Sequence, residues 1–457
     1  MKKYTIEPTK ENIVKTINED ILGRNEDVKS FYELISAMED ANAIAIDGRW
    51  GSGKTFFVKQ LELLINSNND TYTMEENDRS LVLSKMNLSD SLMEKCDYAL
   101  YYDAWENDND TDPAMSIIYE IVKELNISYS FSETKLSEVA VAIIKTFEGK
   151  SYSKILDSLK SDDPLKLFKE QKQLEDNIKL FFSYILKERG NRLFIIIDEL
   201  DRCRPDFAVS LLERVKHYFN IENVTFVFSI NAEQLQFTIK NHYGEQFDAC
   251  RYLDRFFDLR INLPTSDKKR FYDKVGVQTS GMTINSTAKK IIEMFNFELR
   301  EITKFMLQVN VATYNITHHA DRFDFSFDDG AGRHLILHYI VPLMIGLRIA
   351  DINKFNDFID GKDPSPLQEL FREEDTDYNL SPLSDMMNDD ETFKQEEGKK
   401  IVTQDEISKR AYDAIFIKQY DGRKYQSTIG KYRFDAKSKR LALKAASMIA
   451  GYEKLDF

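Results

Sequence analysis

The feature that most constrains this chain is an eight-residue stretch, Gly48-Arg49-Trp50-Gly51-Ser52-Gly53-Lys54-Thr55. It fits G-x-x-x-x-G-K-[ST]. It follows the apolar run Ala43–Asp47 and precedes a segment of helical period, Thr55–Asn66. A strand, a glycine loop and a helix in that order form a phosphate cradle. The glycines let successive backbone N–H groups turn toward one anion, and the helix start adds its positive dipole end. Lys54 would reach the outer phosphates as a mobile point charge, and the Thr55 hydroxyl would ligate Mg²⁺. The whole stretch Gly48–Thr55, with Phe56 behind it, is the expected nucleotide-binding segment.

A second motif fits the same chemistry. Leu193–Ile197 is a buried apolar strand that runs into Asp198-Glu199. Asp198 would hold the metal's water shell and Glu199 would orient and polarise an attacking water. Asn231 follows another apolar run, Val224–Ile230. It would touch the γ-phosphate or the lytic water, or else cap the next helix. Arg255, and beside it Arg251, would act across a subunit boundary or form ordinary surface ion pairs. Arg300 would close a helical lid on the nucleotide. Gly23-Arg24-Asn25-Glu26 would border the base pocket. Nothing matches the N-K-x-D guanine pattern, so ATP is the expected nucleotide.

Composition narrows the class. With Lys plus Arg at 62 and Asp plus Glu at 77, the net charge is −15, which excludes a uniformly basic nucleic-acid coat. The 3 cysteines form no C-x-x-C pair, which fits a reducing cytosol. The first twenty residues carry no apolar run, so no secretory leader is expected. Leu335–Ala350 is the longest apolar stretch. It falls short of the ~20 residues of a spanning helix and reads as a buried core element. His318, His319, His334 and His338 lack carboxylate or cysteine company and read as surface or packing residues.

Strands alternating with helices predict an α/β core, a parallel sheet flanked by helices, over 1–265, with a helical insertion at about 115–190. A helical lid over 266–360, an acidic linker over 361–400 and a basic helical segment over 401–457 would follow. In that last segment basic residues, Lys431, Lys439 and Arg440 among them, are interleaved with Tyr425, Tyr432 and Phe434. This would grip nucleic acid through phosphates and stacking, form a solvated helix face, or dock an acidic partner.

Four stretches resemble the KAP family of P-loop NTPases. DGRWGSGKT at 47–55 resembles its tryptophan-bearing phosphate loop, YYDAWE at 101–106 its aromatic strand end, IIIDELDRCR at 195–204 its acidic block, and YLDRFFDLRINLP at 252–264 its helix and following strand. The resemblance covers roughly residues 15–310. It implies a STAND/AAA-like core with a helical lid. It also implies that Asp198 and Glu199 act as metal ligand and catalytic acid. LRE at 299–301 is similar to a sensor arginine and DRFFD at 254–258 to an arginine-finger region. Many members carry membrane helices in the insertion, whereas residues 115–190 here are amphipathic and charged. That points to a cytoplasmic bacterial or prophage-type member without a membrane role. Such members resemble anti-phage defence ATPases, which implies a homo-oligomer working with a separate effector. A nucleotide switch with slow hydrolysis and a nucleic-acid-stimulated ATPase are the alternatives.

Overall fold

The computed structural model describes residues 7–38, 43–126, 139–140, 143, 166–218, 221–274, 282–318, 330–372, 403–420 and 427–447. The acidic segment 373–402, most of the insertion, His319 and Tyr425 lie outside the described residues. The chain divides into two compact units, one ending at Phe271 and the other starting at Tyr272.

The first unit is built on five strands: β1 Ala43–Asp47, β2 Asp97–Asp103, β3 Arg192–Asp198, β4 Val224–Ile230 and β5 Leu259–Asn262. They pair in the order β2-β3-β4-β1-β5, every neighbour parallel. The strand sequences explain this. Leu193, Ile195 and Ile197 of β3 enter one apolar layer with Val224, Phe226, Phe228 and Ile230 of β4. Phe194 and Ile196 enter the opposite layer with Ile44, Ile46 and Val227. A strand apolar on both faces must be covered on both faces, and crossover helices supply the cover. The helices Pro113–Glu124, Lys166–Arg189 and Pro205–Tyr218 fill the first layer. Asn25–Ala37 and Lys54–Ser67 fill the second.

The expected α/β class with a parallel sheet holds. β1, β3 and β4 fall where the apolar runs predict them, and β2 extends the Ala99–Tyr102 run at both ends. Two short helices before β2, Glu76–Met86 and Asp90–Met93, have no strong apolar period and escape the sequence reading.

The second unit is mainly helical. Its centre is a continuous helical run, Gly330–Leu335, Ile336–Ile340 as a π-turn, and Val341–Ala350. The run Ala331–Ala350 is 20 residues long. That is longer than the expected stretch and enough, by length and composition alone, to cross a membrane. In the protein 61% of it is buried, which makes it the unit's core helix. Ile291 packs so closely beneath Gly346 that a Cβ there would sit 2.6 Å from a methyl carbon. The basic C-terminal segment is not helical throughout. Ser427–Ile429 (β6) and Tyr432–Phe434 (β7) form an antiparallel hairpin, turned at Gly430 with φ +56°, before the Ala436–Ser447 helix. Tyr432 and Phe434 alternate inward and are buried, while Lys431 and Arg433 point outward. Neither aromatic is free to stack on a base. His334 and His338 lie ring to ring at 4.0 Å, one turn apart on the core helix, as packing residues do.

Candidate functional site

The carboxyl ends of β1, β2, β3 and β4 lie along one edge of the sheet, the edge where open parallel sheets bind ligands. The Gly48 N–H donates to the Ile230 carbonyl, which joins the loop after β1 to the end of β4. Gly51 and Gly53 take φ of +83° and +90°, backbone that side chains disfavour. Gly48 is hemmed in differently: a Cβ there would meet Ser52 Oγ, Leu263 and Lys54 at 3.1–3.3 Å. The Lys54–Ser67 helix starts at Gly53 with no side-chain cap, so its first N–H groups stand open to an anion. Lys54 is buried and folds back on its own loop, donating to the Gly48 carbonyl at 2.7 Å and the Arg49 carbonyl at 3.3 Å. Burial pushes its pKa down, opposed by Asp201, Asp198 and Glu199. A buried cation held only by carbonyls is a ready partner for phosphate oxygens.

Thr55 opens the first turn of that helix. Phe56 packs, half-buried, against the second apolar layer. Arg49 and Trp50 are exposed at the loop tip. The Trp50 indole N–H donates to Asp201 Oδ2 at 2.5 Å, tying the loop to the segment after β3.

Asp103 and Asp198, the last residues of β2 and β3, sit opposite each other in register. Asp198 is 1% exposed and accepts from the Glu199 N–H at 2.9 Å and from the Tyr101 hydroxyl at 3.1 Å. Burial, then Asp198 itself, pushes the Tyr101 phenol up, so it stays a donor. Each Asp198 oxygen accepts one such bond and keeps a lone pair. Such oxygen atoms, like the Thr55 hydroxyl, are the hard donors that divalent cations take. Glu199 takes left-handed backbone at φ +61°, strained for a side-chain-bearing residue and frequent where function over-determines the chain. Its carboxyl is pushed up to about 7, chiefly by burial and then by Asp198, with Arg202 pulling the other way. Arg202 Nε meets Glu199 Oε2 at 2.6 Å.

Asn231 caps the Ala232–Tyr243 helix, its Oδ1 accepting from the Gln234 N–H at 3.3 Å. Asp47, at the end of β1, accepts from the Ala232 N–H at 2.9 Å and shares that capping work. Sequence reasoning missed this second cap, although an Asp immediately before a glycine loop was on view.

Arg24 is a larger surprise. It is 2% exposed and donates to the Ser52 carbonyl at 2.9 Å and to the Pro264 carbonyl. It therefore anchors the phosphate loop from below. Arg251 and Arg255 are exposed on the first unit, Arg251 paired with Asp248 at 3.4 Å. Arg300 belongs to the second unit, exposed in the first turn of Leu299–His318. Lys54, Trp50, Asp198, Glu199 and Asn231 thus share one sheet edge. Tyr101, Asp201 and Arg202 join them, named in the sequence only as parts of longer motifs.

A parallel sheet with a glycine loop after β1, an open helix start behind it and two carboxylates where β3 ends defines a P-loop NTPase. The chain belongs to the KAP family: the model of the KAP family P-loop domain matches residues 24–316, well over half its length. No curated protein matches the chain. Nucleotide binding follows from the family and from the loop.

Proposed function

We propose that this protein is a Mg²⁺-dependent ATPase. The observation that carries the reading is the convergence of Lys54, Asp198 and Glu199 at one sheet edge. A phosphate-binding cation, a metal-ligating carboxylate and a buried carboxylate of raised pKa are the groups phosphoryl transfer to water requires. Thr55 and Asp198 would hold Mg²⁺, which would supply positive charge against the negative charge that develops in phosphoryl transfer. The N–H groups at the uncapped start of the Lys54–Ser67 helix bind the phosphates, while the Ser52 N–H donates to the Arg49 carbonyl within the loop. Glu199 orients a water, and Asn231 reaches the γ-phosphate from its cap position. Arg255, with Arg251 beside it, serves a neighbouring subunit of a homo-oligomer. Such an assembly is cytoplasmic and drives or gates a separate effector, in anti-phage defence as the family resemblance implies.

The test is ATP turnover by the wild type and by Glu199→Gln, each sized by light scattering with and without ATP and Mg²⁺. Turnover that falls by about a hundredfold or more in the variant, with ATP binding retained, supports the reading. ATP-dependent assembly without Glu199-dependent turnover replaces it with a nucleotide switch.

A further inference from the structure

The chain has 2 tryptophans, and both hold the turn that carries Glu199. That turn, Leu200–Arg202, is a single 3₁₀ turn following Glu199. The Trp50 indole N–H binds Asp201, as described above. The Trp105 ring lies beneath the next residue, with the Arg202 guanidinium carbon 5.6 Å from its centroid, within cation–π range. The turn closes on Glu199, whose carbonyl accepts from the Arg202 N–H at 3.1 Å, and the two side chains meet across it, Arg202 Nε to Glu199 Oε2 at 2.6 Å. Their side chains are only 14% and 21% exposed, while Trp105 is 54% exposed. A shielded ion pair therefore rests on a wet indole.

A half-exposed tryptophan on the loop after β2 contributes little to the core. Among the described residues its ring contacts the Arg202 guanidinium, which limits where that side chain can go. An arginine left to itself samples many rotamers. Confined on one face by an aromatic plane, it offers its fork to the carboxylate in one direction. We propose that Trp105 is a positioning residue for Glu199 and acts through Arg202. The proposal rests on the reading of Glu199 as the group that orients water. Misplacing that carboxylate by a fraction of its bond length to water slows the chemical step and leaves the phosphate loop untouched.

The experiment measures kcat and KM for ATP in the full chain carrying Trp105→Ala, Trp105→Phe, Arg202→Gln, and Trp105→Ala with Arg202→Gln. Glu199→Gln is the control. Binding is read separately with a fluorescent ATP analogue. The expected result is a kcat about tenfold lower in Trp105→Ala with KM within about twofold, the size of one partly desolvated cation–π contact. Trp105→Phe keeps an aromatic face and restores most of the rate. In the Arg202→Gln background, Trp105→Ala has no further effect, because its only route to Glu199 is gone. An unchanged or raised kcat in Trp105→Ala overturns the proposal. So does a loss that falls in KM, or one that multiplies with the loss from Arg202→Gln. If wild-type turnover is indifferent to Glu199→Gln, the reading of Glu199 itself fails, a result separate from any of these.

Discussion

The unit ending at Phe271 is organised by a sheet, and the unit starting at Tyr272 by a buried helix with a two-stranded hairpin against its first turns. The difference decides where chemistry collects. Parallel strands all end on one edge, so β1, β2, β3 and β4 deliver Lys54, Asp103, Asp198 and Asn231 to one place from stretches far apart in sequence. A helical unit has no such edge. Its side chains of note, His334, His338 and Arg300, mark no common site by their element order. The family match ends at residue 316, so the shared pattern reaches into the second unit only as far as its first two helices.

The comparison breaks most sharply if the two units do not unfold separately. Phe226 is fully buried in the sheet's first layer and Phe434 is fully buried in the second unit. Phe226→Ala and Phe434→Ala should each cost about 3–5 kcal/mol, confined to the unit that carries it. Calorimetry of the full chain should then show one transition moving in one variant and the other in its counterpart. A single merged transition that both variants lower equally removes the distinction between the units.

The same contrast explains what was legible beforehand. An unbroken apolar run such as Leu193–Ile197, or one as rich in Val and Phe as Val224–Ile230, is buried on both faces, so β3 and β4 were readable from their residues alone. The phosphate loop was readable because glycine, lysine and threonine each answer a separate demand of one anion. Arg24 was not readable as a loop anchor, since its partners are the carbonyls of Ser52 and Pro264, and carbonyls carry no sequence signal. Arg202 was visible as a letter in the acidic block, but its pairing with Glu199 depends on the turn that folds the two side chains together. In the second unit the β6–β7 hairpin hid behind Lys431 and Arg433. Ile429, Tyr432 and Phe434 do alternate, but over strands only three residues long.

A second prediction sets the two units against each other with pH. The Glu199 carboxyl is raised in the folded protein to about 7, chiefly by burial. A carboxyl whose folded pKa lies above its unfolded one disfavours folding once ionised. Its contribution therefore worsens as pH climbs from about 4.5 to 7, by about 2 kcal/mol. His338 runs the other way. Burial, then His334, pushes it down to about 4. Its unit holds full stability above the unfolded value near 6.5 and loses it as pH falls toward 4, by about 1–2 kcal/mol after discounting for partial exposure. Glu199→Gln should raise the first transition at pH 8 more than at pH 5. His338→Gln should flatten the second transition between pH 6.5 and 4. The two effects landing on one transition would again merge the units.

The smallest expected shift in stability belongs to Arg251 and Arg255, and its smallness is what makes them informative. Arg251 has an 86% exposed side chain and pairs with Asp248 only across one helical turn, an interaction worth under about 0.5 kcal/mol. What the Lys216 ammonium grips on Arg255 is the backbone carbonyl, which any substitution preserves. Arg251→Ala and Arg255→Ala should therefore leave both transitions in place. A loss of turnover in either variant then cannot come from the fold of its own chain. If Arg255 completes the site of a neighbouring subunit, mixing Arg255→Ala with Glu199→Gln protein should recover activity that neither has alone, because some interfaces then pair an intact Glu199 with an intact Arg255. Activity that stays at the sum of the two variants places the arginine's work, if any, within its own subunit.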